Sequence, residues 1–366
     1  MTNSISLQAK VGQLVAVGIH GTALSDANIQ QVIKQAEAGE IGGVIIYRYN
    51  ITSKVQLTTL LQGIQQARTA LPLFVYVDQE GGKIQRIDSS HGFVETLAAQ
   101  QVATDLSIDE ALEHYAELGR ELQHTGFNFD LAPCVDIDGE PPCQAIGALQ
   151  RSYGADPAQV ADYGEAMLAG LGAHGVLGCL KHYPGHGRVM GDSHMGLMDI
   201  TSTWQALELE PFARLIRRGV VDAVMTSHLV HQGIDADTPV TFSRIWLDKL
   251  RQDLGFEGLI VADDLHMGAI IRHYSPVQAI VAGLQAGLDQ LMFSNNPLAA
   301  QPQGIRHDLD AKVKPVSTGE WQVPDIGLPP KVFTVVAAAI ADGSLDEAII
   351  DAAYQRVVAL KARLVQ

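Results

Sequence analysis

The sequence predicts an α/β chain whose parallel strands close into a TIM-like (β/α)8 barrel. Three observations carry that prediction. Eight short runs rich in Val, Ile and Leu recur along the chain, at 14–19, 41–47, 73–77, 127–135, 176–183, 223–229, 258–262 and 290–294. Stretches of helical pattern lie between them, among them 54–70, 109–125, 157–174, 204–218 and 276–286. Polar residues stand at the ends of many runs: Asp78 and Glu80, Asp136, Lys181 with His182, His228, and Asp263.

Strands that alternate with helices are parallel, because parallel neighbours need a crossover between them. Continuously apolar runs suit strands covered on both faces. An open, doubly wound sheet is the competing topology. It gathers its site at one crevice and often carries Gly-x-Gly-x-x-Gly after its first strand, and no such motif follows the run at 14–19. A barrel instead collects side chains from many strand ends on one rim, as here. After Asn296 the pattern lapses into Pro, Gln, Gly and Asp, so 296–330 reads as a long surface excursion. A last helix is expected over 344–364, with Ile350, Ala353, Val357, Leu360 and Leu364 on one face. Ser344, three residues before Glu347, suits its N-cap.

The 366 residues are 47% apolar and 18% charged, enough for a sizeable core. A net charge of −16 opposes nucleic acid and anionic membrane surfaces as partners. Cys134, Cys143 and Cys179 form no Cys-x-x-Cys pair and read as buried thiols in a reducing compartment. The N-terminus has no basic, then apolar, leader pattern, and no apolar run approaches the ~20 residues of a membrane span. A cytoplasmic protein is expected.

Three groups can carry chemistry. Asp78-Gln79-Glu80-Gly81-Gly82, with Arg86 following, brings two carboxylates off a strand into a glycine turn. A carboxylate accepts sugar hydroxyls and an arginine holds a further oxygen; the same pair can also simply fix the loop. The segment Lys181-His182-Tyr183-Pro184-Gly185-His186-Gly187, with Asp192-Ser193-His194 after it, is a strand opening into a polar loop. Zinc is the tempting ligand, but Pro184 and Gly185 separate His182 from His186 and prevent the helix that would align them, so no metal is expected. Lys181 also stands where Schiff-base aldolases place their amine. Asp192 and His194 can pair, the carboxylate fixing the imidazole tautomer for proton transfer. Finally Asp263 and Asp264 leave a fully apolar run; Asp263 comes first and is the better inward candidate, while Asp264 can cap the next turn. Arg151 follows the fourth run, and His228 is either a site residue or a bonded core histidine.

In order, these segments, with Arg151-Ser152-Tyr153-Gly154 and Asp263-Asp264-Leu265-His266-Met267, resemble glycoside hydrolase family 3, specifically its β-N-acetylhexosaminidases of the peptidoglycan-recycling (NagZ) type. The resemblance covers about residues 8–296, and the last helix belongs with it. It implies a single barrel domain over 1–366 and a retaining exo-β-N-acetylglucosaminidase acting on 1,6-anhydro-muropeptides. By the same resemblance Asp263 would be the nucleophile, His194 the acid/base paired with Asp192, and Asp78, Arg86, Arg151, Lys181 and His182 the grip on terminal N-acetylglucosamine. No cofactor or metal is implied. The usual proton donor is a second carboxylic acid; an imidazole instead titrates near neutrality without a large environmental shift. Tyr183 replaces the more frequent phenylalanine, and the 296–330 excursion has no counterpart. The rivals are a family member of other specificity, one using phosphate as acceptor, and a non-catalytic sugar-binding barrel.

Overall fold

The computed structural model describes residues 5–67, 69–189, 196–299 and 316–365. Eight parallel strands form one sheet: β1 Val15–Gly18, β2 Gly43–Ile45, β3 Phe74–Val77, β4 Phe129–Asp130, β5 Leu177–Tyr183, β6 Ala223–Thr226, β7 Leu259–Val261 and β8 Leu291–Phe293. Neighbours pair in chain order, and β8 lies beside β1 with Val15 opposite Leu291. A parallel bridge between Val261 and Gln290 joins β7 to the start of β8 and closes the ring. The expected (β/α)8 barrel is the observed fold, each apolar run supplying one strand.

Side chains alternate along a strand, so every second residue points into the ring. Phe74 and Tyr76 of β3, Phe129 of β4 with Leu131 after it, Leu177 and Cys179 of β5, and Leu259 and Val261 of β7 pack in one interior cluster. Val75, Val77, Leu180, Val224 and Ile260 belong to the outer core under the helices. Counting on by two from the interior rows of β3, β5 and β7 reaches Asp78, Lys181 and Asp263. The period that builds the core therefore brings three ionisable groups to the C-terminal rim.

The helices Lys54–Gln65, Ile108–Thr125, Pro157–Gly172 and Pro276–Ala286 lie where the pattern places them. Ser53, Ser107, Asp156 and Ser275 cap them through side-chain oxygens. The stretch expected as one helix over 204–218 is split into a 3-10 turn, Ala206–Leu209, and a helix, Glu210–Arg218. Pro211 has no amide to donate and is tolerated only in a first turn, so the α-helix starts beside it.

The C-terminal region differs from expectation in two ways. The closing helix is Glu347–Lys361, and its N-cap is Asp346, which accepts from the Ala348 amide. Ser344 instead donates through Oγ to Ala339 O (3.2 Å), finishing the preceding helix Leu328–Ala341. Ile350, Ala353, Val357 and Leu360 are buried as expected. The stretch 296–330, expected as a surface excursion, also contains regular structure. Val316–Thr318 and Trp321–Val323 form an antiparallel hairpin, and Trp321, 3% exposed, donates through Nε1 to Tyr274 O (2.7 Å). Residues 300–315 lie outside the described residues. Among the described residues no helix is long and apolar enough to cross a membrane, and Cys134, Cys143 and Cys179 are buried and unpaired.

Val357 and Leu360 of the closing helix join the barrel's interior cluster. Beside them Lys361 is fully buried, donating to Gln13 Oε1 (2.6 Å) and Gly42 O (2.7 Å), 4.7 Å from the centre of the Phe74 ring. Burial pushes its pKa down to about 7. The folded value lies below the unfolded value of about 10.4, so the associated stability is complete above that value and is lost as pH falls toward 7. Lys361→Met removes this dependence. On lowering pH from 10 to 8, urea unfolding should show wild type losing up to about 1.4 kcal/mol per pH unit relative to that variant.

Candidate active site

The rim begins at the end of β3. Asp78 accepts from Arg86 Nη2 through Oδ2 (2.9 Å) and from Lys181 Nζ through Oδ1 (3.0 Å). Lys181, continuing the interior row of β5, also lies 2.6 Å from Glu80 Oε1. Arg151 grips Glu80 with two bonds, Nε to Oε2 (2.8 Å) and Nη2 to Oε1 (2.7 Å). The same Nη2 reaches His182 Nε2 (3.2 Å). A guanidinium only donates, so Nε2 accepts and Nδ1 carries the proton. Nδ1–H donates to Asp136 Oδ2 (2.7 Å), and Asp136 Oδ1 accepts the backbone amides of His182 (3.1 Å) and His186 (2.8 Å). One continuous ladder thus runs Arg86–Asp78–Lys181–Glu80–Arg151–His182–Asp136, across the ends of β3, β4 and β5. The Lys181–His182 peptide is cis. Gly187 is required by close approach, since a Cβ there would lie 1.6 Å from Ile137 O.

Burial opposes charge on Asp78, Glu80, Asp136, Lys181 and Arg151, yet their partners outweigh it. Lys181 and Arg86 hold Asp78 well below the usual carboxylate range. Arg151 and Lys181 hold Glu80 at about 2, and His182 and His186 help hold Asp136 at about 2. Lys181 is raised by Glu80 and Asp78, against the effect of its burial. It is therefore an ammonium, the wrong form for Schiff-base attack. Cys134, Asp136 and His182 bring potential ligand atoms within 4.8 Å of one another. Those atoms already bond to each other, Cys134 Sγ to Asp136 Oδ2 at 3.3 Å, and the Arg151 guanidinium beside His182 disfavours a further cation.

Across the rim Asp263 continues the interior row of β7. Its Oδ1 accepts from the Asp264 amide (2.8 Å). Asp264 is the strap: its Oδ1 accepts from the amides of His266 (3.0 Å) and Ser294 (2.8 Å), tying the turn after β7 to the end of β8. Burial pushes Asp264 up to about 6. His228 is a bonded core histidine, Nδ1 to Thr241 Oγ1 (2.8 Å) and Nε2 to Asp264 O (3.0 Å).

Asp78, Arg86, Arg151, Lys181, His182 and Asp263 line one cavity. Its apolar lining includes Ile45, Leu131, Met225 and Met292. Asp192 and His194 lie outside the described residues. Sequence reasoning did not place Asp136 in the site, although it follows the β4 run much as Asp263 follows β7. It also missed Glu208, 1% exposed and packed against Gly185. Burial pushes Glu208 up to about 7. Nothing in the sequence distinguished it from a solvated helix glutamate. Chemically, alternating carboxylates and cations on one wall suit the hydroxyls of one sugar ring, and Asp263 presents a carboxylate from another strand end.

Glu80→Gln removes the charge shared by Arg151 and Lys181. Unfolding free energy should fall by about 3–5 kcal/mol at pH 7, measured in urea. Glu80 has a folded pKa below its unfolded value, so its contribution is present above about pH 4.5 and lost as pH falls toward 2. The variant should therefore lose less stability than wild type across that acid range.

The Glycosyl hydrolase family 3 N terminal domain matches residues 6–360. A β-hexosaminidase of Chromobacterium violaceum is 36% identical over 291 residues, 77% of this chain and 79% of that protein. The solved β-N-acetylhexosaminidase of Beutenbergia cavernae superposes with a TM-score of 0.81 at 28% identity, covering 98% of this chain and 99% of that one. A family 3 β-N-acetylglucosaminidase of Paenibacillus gives 0.79 at 29% identity, over 99% of this chain and 63% of that one. With its barrel, its rim of paired charges and a match along nearly its whole length, the chain belongs to glycosyl hydrolase family 3 and is a glycoside hydrolase.

Proposed function

We propose that this β-hexosaminidase is a retaining exo-β-N-acetylglucosaminidase that releases terminal N-acetylglucosamine from peptidoglycan fragments, 1,6-anhydro-muropeptides among them. The observation that carries the reading is the convergence of Asp263 with Asp78, Arg86, Lys181, His182 and Arg151 on one cavity. The ladder holds the hydroxyls of the terminal sugar, with Asp78 as acceptor and the cations beside it as donors. The Asp263 carboxylate attacks the anomeric carbon as the bond to the leaving oxygen breaks. His194, oriented by Asp192, gives its proton to that oxygen, then takes one from the water that displaces Asp263. No step uses a metal or cofactor.

Support for the substrate class comes from the relatives' names and from Lys83, a cation among the cavity-lining residues of a chain whose net charge is −16. Such a cation suits an aglycone bearing carboxylates. Phosphate as acceptor is less well served, because Arg86, Lys181 and Arg151 are each committed to carboxylates. The reading places the enzyme, as one barrel domain, in the cytoplasm, where three unpaired thiols suit a reducing compartment.

A fluorinated, mechanism-based aminosugar followed by peptide mass mapping should label Asp263; label elsewhere, or an inverted sugar product, ends the reading. Asp263→Ala should lower kcat by on the order of 10⁴-fold with the fold intact by circular dichroism. His194→Ala should lower kcat/KM about 10²- to 10⁴-fold for poor leaving groups and far less for nitrophenolate.

A further inference from the structure

The loop from β3 to the 3-10 turn Ser89–His91 carries two members of the ladder, Glu80 and Arg86. Backbone groups in a loop need partners as much as those in a helix. Turns supply some of them: the Glu80 amide donates to Ile84 O (2.9 Å) and the Gly82 amide to Thr96 O (2.9 Å). Others converge on one side chain. Asp78 and Glu80 extend the interior row of β3, so Gln79 between them points the other way, behind the cavity wall. It is fully buried. Gln79 Oε1 accepts from the amides of Arg86 (2.9 Å) and Ile87 (3.2 Å). Its Nε2 donates to Ile87 O (3.0 Å) and Thr96 Oγ1 (3.2 Å). The Gln79 backbone amide donates to Asp130 Oδ1 (3.0 Å), at the end of β4.

A primary amide has two hydrogens to give and two acceptor directions, and here all four are used. A glutamate would turn an oxygen toward Ile87 O; a methionine would leave both amides bare. Arg86 is thereby held twice. Gln79 holds its backbone, while Asp78 (2.9 Å) and the face of the Tyr47 ring (5.8 Å to its centre) hold its guanidinium.

We propose that Gln79 is a positioning residue for sugar binding: from behind the cavity wall it fixes the backbone at Arg86 and Ile87, and so where the Arg86 guanidinium meets the substrate. This rests on the reading of Arg86 as part of the grip on the terminal sugar. Gln79 touches neither substrate nor Asp263 on this account. A shifted Arg86 weakens contacts made equally before and during bond breaking, so the loss falls on KM rather than on kcat.

The test measures kcat and KM for nitrophenyl N-acetylglucosaminide, competitive inhibition by N-acetylglucosamine, and thermal midpoints. The variants are Gln79→Met and Thr96→Val, each alone and together with Arg86→Ala, and Arg86→Ala by itself. Methionine keeps the length of the side chain and loses its four bonds. Thr96→Val removes one acceptor of Nε2 and carries the test if Gln79→Met does not fold. KM and the inhibition constant should rise about 10-fold in Gln79→Met and about three-fold in Thr96→Val, with kcat kept within about three-fold. With Arg86 already replaced, either change should add less than about two-fold, because its effect passes through the arginine. Equal losses in both backgrounds, a fall in kcat matching the rise in KM, or a lower thermal midpoint with unchanged KM would mean that Gln79 only supports the fold, and would overturn the inference. Arg86→Ala separates the two claims. Weakened sugar binding there, but not in Gln79→Met or Thr96→Val, sinks the inference alone; unchanged binding in Arg86→Ala sinks the reading of the grip as well.

Discussion

The constraint on which the site depends is charge neutrality inside a dry rim. Glu80, Asp136, Lys181 and Arg151 are buried and Asp78 half-buried, and burial opposes the charge of each. Each of these carboxylates is shared between two or more donors, and Lys181 and Arg151 each reach two or more acceptors. The ladder therefore stands or falls as a unit, and its geometry follows from that sharing. Lys181 must lie between Asp78 and Glu80, and Arg151 must reach across from the loop after β4. His182 is turned by Asp136 until only Nε2 faces Arg151.

In the proposed function, a prepaired ladder would let a polar sugar be gripped without reorganising the protein. Water around a flexible lysine would have to be displaced and the side chain ordered for each binding event. Here the ordering is done during folding, by residues whose strands already carry the core. Interior rows of β3, β5 and β7 begin in Phe74, Leu177 and Leu259 and end in Asp78, Lys181 and Asp263, so the rigidity of the packed interior is transmitted to the rim. Precision at the site and stability of the barrel are two ends of the same strands.

That continuity decides what was legible in the sequence. Strand positions were readable because an apolar run between helical patterns has few other interpretations. Asp78, Lys181 and Asp263 were readable because each ends such a run in a residue too costly to bury without reason. Arg151 was readable only through motif order, since an isolated arginine after a loop is ordinarily solvated. Asp136 shows the opposite failure. It ended a run like the others, but its work is to hold His182 and His186, and no local pattern reveals a partner 46 residues away. Glu208 lay hidden in a helical stretch, where the break at Pro211 and the packing against Gly185 are tertiary facts. Ser344 was a plausible cap by spacing, but Asp346 stood nearer the first helical turn and supplied the same oxygen. The hairpin at Trp321 was masked by its neighbours' Pro- and Gln-rich composition.

The ladder bears on why the proposed mechanism assigns proton transfer to an imidazole. A carboxylic acid serves as donor only if its surroundings raise its pKa toward neutrality. Along the ladder the effect runs the other way: Lys181, Arg86 and Arg151 hold Asp78 and Glu80 ionised, whereas Asp264, outside the ladder, is pushed up to about 6. A donor carboxyl placed among those cations would be deprotonated when the leaving oxygen needs its proton. An imidazole needs no such elevation, and pairing with Asp192 would keep its cationic form accessible. A rim of fixed positive charge is thus ill suited to a glutamic acid donor, and the proposed histidine donor fits the same electrostatics that build the ladder.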